Sequence, residues 1–408
     1  MLPLREPTRH REQAYALTSQ GSGGILPYGT HPTDSFFSGV FLSHFYCVDA
    51  FAGAGGLSLG LRAAGFNLAY AFDSNSTAVR TYNENLGEHA EVRLIEQISL
   101  KDIYRRLPNG DSKVDLLAGG PPCQGFSKQK RGAHNGDDRN RLVIDFANLI
   151  EAVQPRYFLL ENVAMLGQKR GKLYANQILK HLGRRYRFYA QFYNSADFGL
   201  AQTRDRFIIV GESRNLDPRF SVPQPTVDKW RTVGTVLKGL PEPPDDCTEH
   251  PQFANHYRSK ITQANIERFS YVPQGGGWQD IPMGLRLPCH QTVDPRSGGW
   301  PDVYGRLKLG GQCPTITAGF DSFTRGRYGH PTSDRALTPR EAARLQGFPD
   351  DFVFEGNRSD VRLQIGNAVP PPLAAAIGRQ IFLALACKLP VHSTGYQQQL
   401  LSGLSQAI

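Results

Sequence analysis

The chain has 408 residues, enough for two or three structural units at about 150 residues each. Hydrophobic residues make up 40% and charged residues 20%, a mixture that excludes a fully disordered chain and supports a large buried core. The formal net charge of +9 favours an anionic partner but does not name one.

No apolar run is long enough for a membrane span. The opening MLPLREPTRHREQ alternates charges and lacks the apolar core of a secretion signal. Six irregularly spaced cysteines form neither a disulfide framework nor a paired metal-ligand pattern. A reducing cytoplasm is therefore expected, and no metal.

Residues 1–44 contain Gly21, Gly23, Gly24, Pro27, Gly29 and Pro32 without a sustained period and read as a partly irregular arm. From Phe45 the texture changes. Apolar strands are predicted at Phe45–Phe51, Asn67–Phe72, Val114–Gly119 and Arg156–Leu160, and helices at Leu57–Ala64, Ser76–Leu86 and Leu142–Val153. A later strand pair is predicted at Tyr186–Tyr193 and Arg206–Val210. This alternation predicts an α/β fold with a mostly parallel sheet. Past residue 215 a run of prolines from Pro218 to Pro251 breaks the pattern, and Trp230, Trp278 and Trp300 all lie in this middle region. That stretch reads as a second, loop-rich domain, with its tryptophans expected in a core. Thr338-Pro339-Arg340-Glu341 supplies an N-cap, a proline at the first helical position and an acid at the third, so a helix starts there. A last apolar helix is predicted over 373–388.

Two strand ends carry chemistry. Asp49-Ala50-Phe51-Ala52-Gly53-Ala54-Gly55-Gly56 joins a strand to a helix, and its glycines let a ligand approach the backbone closely. Asp73 ends the next strand, where a carboxylate can accept from a ribose diol. The spacing suits an adenosine-bearing cofactor, but it is not the G-x-G-x-x-G of a dinucleotide site. The second segment, Gly119-Gly120-Pro121-Pro122-Cys123-Gln124-Gly125-Phe126-Ser127, presents a sulfur after two prolines. Lys128, Lys130, Arg131, Arg139 and Arg141 follow, a field that favours a thiolate and attracts phosphates.

The run Pro121–Ser127 resembles the catalytic loop of the DNA (cytosine-5)-methyltransferases. Further motifs follow in that family's order: Asp49–Gly56, Glu161-Asn162-Val163, Gln202–Arg206, Leu337–Asp350 and Gln364–Pro370. The resemblance covers about residues 45–388. It implies a Rossmann-like methyltransferase sheet with helices on both faces plus a smaller, loop-rich target recognition domain. The implied divisions are an arm at 1–44, a catalytic domain at 45–214, target recognition at 215–334, and C-terminal motifs at 335–408 that return to the catalytic domain.

The resemblance also implies S-adenosyl-L-methionine as cofactor and cytosine C5 in double-stranded DNA as target. Cys123 would add to C6 of a flipped cytosine. Glu161 would hydrogen-bond N3, Arg206 would meet O2, and Arg204 would support the site. Phe51, Gly53, Gly55, Gly56, Asp73, Pro122, Leu142 and Asn367 would hold the cofactor. The 124–140 loop, with Gly125, Gly132 and Gly136, is expected to close over the base and to be mobile without DNA. The chain departs from the pattern at Ser74, where members often carry a bulky residue. It departs again at Gln97-Ile98, where an adenine-binding acid is common, and Asp102 stands in poor register for that role.

For reading DNA, the middle region offers His256, Tyr257, Arg258 and Lys260, then Gln274–Trp278 and Arg325-Gly326-Arg327-Tyr328. The expected activity is that of the modification enzyme of a restriction–modification pair, acting as a monomer near the nucleoid, with a nuclease partner acting separately. An RNA-directed (transfer RNA) cytosine-5 methyltransferase shares these motifs, and a non-catalytic DNA-binding relative would share the fold. A dinucleotide oxidoreductase fits the glycine loop but leaves Cys123 unexplained.

Overall fold

The computed structural model describes residues 44–108, 113–122, 141–168, 171–293 and 302–386. The arm before His44, Cys123 with the 124–140 loop, Trp300 and the end of the chain from Cys387 lie outside the described residues.

Seven strands form one sheet in the order β3-β2-β1-β4-β5-β7-β6. They are β1 (Tyr46–Ala50), β2 (Asn67–Asp73), β3 (Ala90–Val92), β4 (Leu116–Gly119), β5 (Tyr157–Val163), β6 (Tyr186–Asn194) and β7 (Asp205–Ser213). The pairs from β3 through β5 are all parallel, and β7 runs antiparallel to both neighbours. The fold is thus the expected mostly parallel α/β sheet, with its later strand pair antiparallel.

The helices are α1 (Gly56–Ala63), α2 (Ser76–Leu86), α3 (Leu100–Tyr104), α4 (Arg141–Val153), α5 (Gly171–Leu182), α6 (Val233–Leu237), α7 (Gln263–Ser270), α8 (Pro288–Gln291), α9 (Pro339–Gln346), α10 (Arg358–Asn367) and α11 (Pro371–Leu385). Side chains alternate across a strand, so each central strand feeds two cores. Leu117, Phe158 and Leu160 join Val143, Phe146 and Ile150 of α4 on one face. Leu116, Ala118, Tyr157 and Leu159 join Leu57 and Leu61 of α1 and Ile377 and Ile381 of α11 on the other. This two-sided burial explains why the strands read as continuous apolar runs. Small residues let α1 and α11 pack closely: a Cβ on Gly60 would lie 2.5 Å from Ala374 Cβ.

A further cluster joins α2, α9 and α10 to Leu307, Cys313, Ile316, Phe320 and Tyr328. Within the middle region a small separate core forms around Phe269, Trp278, Tyr304 and Phe323, with the Phe269 and Phe323 rings stacked 4.1 Å apart. Trp278 is buried there, as expected of a core tryptophan. Trp230 is not: it is 49% exposed, with its indole N–H donated to Asp197.

The expected cap at Thr338 forms. Its hydroxyl accepts from Glu341 N at 3.2 Å, and Glu341 accepts from Thr338 N at 2.8 Å. Residue type misleads in this helix, because all eight residues of α9 are buried, charged ones included. Arg340 donates to the carbonyls of Ala254, Pro349 and Phe352, Glu341 pairs with Arg335, and Arg344 pairs with Asp350. Buried polar groups persist when each has such a partner.

Candidate active site

The strand register gathers the chemistry at one edge. Ala50 lies beside Gly119 and Phe72, and Gly119 beside Leu160. The carboxyl ends of β1, β2, β4 and β5 therefore open side by side, where open α/β sheets bind ligands. Because β7 is reversed, its first residues reach the same edge, and Arg206 pairs with Val163. The sequence placed Glu161 at a strand end. In the structure β5 runs on through Val163, because β7 supplies antiparallel partners that far.

The glycine loop begins with Phe51 at φ +58°, a left-handed conformation that is an outlier for a bulky residue. Its ring lies 6.2 Å from Phe146 and 6.3 Å from Phe72. Leu142, one helical turn before Phe146, packs partly buried against the same cluster. Gly53 (φ +53°) has open space where a Cβ would point, and Gly55 (φ +94°) caps α1. Asp73 ties the loop down, accepting from Gly53 N at 2.9 Å and Asn75 N at 2.8 Å. A carboxylate has about four lone-pair sites, so backbone groups of Gly53, Ser74 and Asn75 leave at least one for a ligand. Burial raises the Asp73 pKa despite these backbone hydrogen bonds. Open backbone at Gly53, an aromatic ring and a carboxylate with spare acceptors fit an adenosine-bearing cofactor.

The late motif returns to this loop. A Cβ on Gly56 would lie 2.4 Å from the Val369 carbonyl, and one on Gly120 would lie 3.7 Å from Val369 Cγ2. Asn367, the last residue of α10, is exposed just before this crossing. Ser74 is exposed. Gln97 accepts from Leu94 N, and Asp102 accepts from the Ser99 hydroxyl at 2.6 Å and pairs with Arg93 at 3.3 Å. Both Gln97 and Asp102 are engaged in capping their own short helices.

At the β4 and β5 ends, Arg206 Nε meets Glu161 Oε1 at 2.6 Å, both side chains being about nine-tenths buried. Burial lowers the Arg206 pKa, and the Glu161 charge offsets part of that effect. The other carboxylate oxygen faces Gly120, where a Cβ would lie 3.2 Å from Oε2. Asn162, to which the sequence assigned no role, donates to the Pro121 carbonyl at 2.9 Å and so fixes the start of the proline segment. Pro122 is half-buried. Cys123, the next residue, lies outside the described residues. Among the described cysteines, Cys47 and Cys313 are buried, and burial pushes both thiols up, away from reactive thiolate character.

Arg204 hydrogen-bonds backbone carbonyls rather than this pair. Its guanidinium donates to the carbonyls of Ile316 (2.7 Å), Gly366 (3.0 Å) and Ala368 (3.0 Å) and is 2% exposed. Burial, and then the Arg206 charge, push its pKa well down. Gln202 bonds Gln346 at 2.6 Å and Ile316 N at 2.8 Å, while Gln346 reaches the Ile365 carbonyl. These buried amides and Arg204 bind four distant segments into one support behind the Glu161–Arg206 pair. The signal for both was their place inside motifs, Gln202 in Gln202–Arg206 and Gln346 in Leu337–Asp350.

Residues 45–383 match the family model described as C-5 cytosine-specific DNA methylase. The Type II methyltransferase M1.HphI of Haemophilus parahaemolyticus is 34% identical over 356 residues, covering 84% of this chain and 89% of the relative. The Type II methylase M.HgiDII of Herpetosiphon aurantiacus is 31% identical over 342 residues, covering 82% and 94%. A candidate DNA modification methyltransferase from an Escherichia coli prophage shares the fold at TM-score 0.62 and 26% identity, covering 84% of this chain and 99% of that one. An ordered motif set at one sheet edge and a match spanning most of the chain lead to the same place: the chain belongs to the C-5 cytosine-specific DNA methylase family.

Proposed function

We propose that the chain transfers a methyl group from S-adenosyl-L-methionine to C5 of cytosine within one specific double-stranded DNA sequence, as the modification half of a restriction–modification system. The reading rests on one observation: the Glu161–Arg206 ion pair sits against Gly120, three residues before Cys123, on the edge that also holds the glycine loop. Its Type II relatives support the biological setting.

The bound cofactor supplies an electrophilic methyl group. Phe51, Gly53, Gly55, Gly56, Asp73, Pro122, Leu142 and Asn367 would hold and orient it. The target cytosine leaves the duplex stack so that C6 becomes reachable. The Cys123 thiolate adds to C6, and the electron pair of the C5–C6 double bond moves toward C5. Glu161 hydrogen-bonds N3 and Arg206 meets O2, so charge building in the ring finds fixed partners. C5 would take the methyl group from the cofactor, whose sulfur keeps the bonding pair as a neutral thioether; loss of the C5 proton to a base then expels the Cys123 thiolate from C6 and restores the ring. Arg204 is a positioning residue in this scheme. Residues 215–334 carry target recognition, and the chain acts as a monomer in the cytoplasm, at the nucleoid.

Incubation with labelled S-adenosylmethionine and mixed DNA and RNA, followed by base-resolution mapping, tests the reading. The expected product is 5-methylcytosine in one duplex DNA sequence. Label confined to RNA, or on another base, overturns it.

A further inference from the structure

The middle region's residues nominated for reading DNA do not share one fate. His256 is fully buried, bonded to the Thr338 hydroxyl at 2.9 Å and the Pro241 carbonyl at 2.8 Å. Arg258 pairs with Asp245 at 2.6 Å. Arg327 donates to the carbonyls of Gly275 and Gly276, and Trp278 and Tyr328 are buried. These side chains shape the region rather than meet a partner. Lys260 and Arg325 differ. Both are exposed, and among the described residues neither side chain has a hydrogen-bond or ion-pair partner.

They share a cleft of about 670 Å³ between residues 259–265, residues 321–325 and the first turns of α10. Four cations, Lys260, Arg325, Arg358 and Arg362, line it against one carboxylate, Asp321. The frame is fixed. Asp321 accepts from the Ser259 hydroxyl at 3.3 Å and pairs with Arg362 at 3.5 Å. Arg358 lies 4.4 Å over the Tyr257 ring and donates to the Arg258 carbonyl at 2.7 Å. Two held guanidiniums thus set a positive floor, and two unengaged cations reach from the rim.

The cleft is also tied to the candidate active site. α10 carries Arg358 and Arg362 at its start and Gly366, held by Arg204, near its end. At 1.5 Å per residue, Arg362 stands about 6 Å along the axis from Gly366. Duplex DNA presents one charge per about 1.7 Å of its axis, so a cation-lined cleft of this size can meet several phosphates at once.

We propose that this cleft seats the DNA phosphate backbone beside the target base, with Lys260 and Arg325 as the contacting cations. The assignment rests on the DNA-methylating reading above and adds the residues that hold the duplex.

The test is the salt dependence of binding to a mixed-sequence duplex by the full chain, as wild type, Lys260→Gln, Arg325→Gln and the double variant. Lys180→Gln, on exposed α5 surface outside the cleft, is the control. Each lost phosphate contact lowers the slope of log K against log salt by about 0.9. The expected result is a drop of about one for each single variant and about two for the double, with none for Lys180→Gln and unchanged melting for all. Wild-type slopes in Lys260→Gln and Arg325→Gln, or an equal drop in Lys180→Gln, overturn the cleft assignment while leaving the methylation reading intact. A wild-type chain that binds and methylates no duplex overturns both.

Discussion

Arg206 and Glu161 form a buried ion pair at 2.6 Å, and the carboxylate oxygen left over faces the backbone of Gly120. The candidate proton-handling group therefore lies beside the start of the cysteine-bearing segment, which leaves too little room for a side chain at residue 120.

Gly120→Ala probes that contact. The added Cβ would sit 3.2 Å from Glu161 Oε2, tighter than an ordinary contact, so the carboxylate must give way. We expect kcat to fall by about tenfold to a hundredfold, since positioned acid–base groups contribute about 10²–10⁴-fold, while the melting temperature changes little. Unchanged kcat would show that the carboxylate position is not critical.

Arg204→Met separates support from chemistry. Methionine keeps bulk but leaves the carbonyls of Ile316 and Gly366 without their Arg204 donor, while Ala368 keeps its hydrogen bond from Gln346. Each buried unsatisfied group costs about 1–3 kcal/mol, so urea denaturation should show a loss of about 2 kcal/mol or more. A variant of wild-type stability with only kcat reduced would move Arg204 from a positioning role into the reaction.

Much of this arrangement was legible in the sequence, and the limits are physical. Apolar runs such as Leu116–Gly119 identify strands because both of their faces are buried. Thr338–Glu341 identifies a helix start because capping is local. The strand Ala90–Val92 is too short to show a period, and α10 mixes polar and apolar residues around its axis. Burial of Arg204, Gln202 and Gln346 depends on partners more than a hundred residues away for Gln202 and Arg204, which no local pattern encodes. The same reason hides the division of labour between Arg325 and Arg327, identical in type and two residues apart.

A pH dependence follows from Asp49. This carboxyl is 1% exposed; it accepts from the Ser58 hydroxyl at 2.7 Å, and Tyr82 donates to that hydroxyl at 2.9 Å. Burial pushes its pKa up from near 3.8 to about 7. Between those values the folded chain holds a proton that the unfolded chain has released. Its contribution to stability is therefore fully present below about pH 4 and is lost as pH rises through about 7, at about 1 kcal/mol per pH unit. Asp49→Asn keeps the acceptor for Ser58 and removes the titration. The stability difference between the variant and wild type should grow in favour of the variant from pH 5 to pH 7 in denaturant titrations. A difference that stays constant across that range would show that Asp49 is already ionised in the fold.

The central claim is that Cys123 bonds covalently to cytosine C6 during turnover. The most direct measurement uses the mapped duplex with 5-fluorocytosine at the target position, incubated with the enzyme and S-adenosylmethionine and read by mass spectrometry. Fluorine at C5 cannot leave as a proton does, so the account requires a stable protein–DNA adduct located on the Cys123 peptide and absent in Cys123→Ala. Steady methylation of the unmodified duplex with no adduct on the fluorinated one, or turnover by Cys123→Ala, would contradict it.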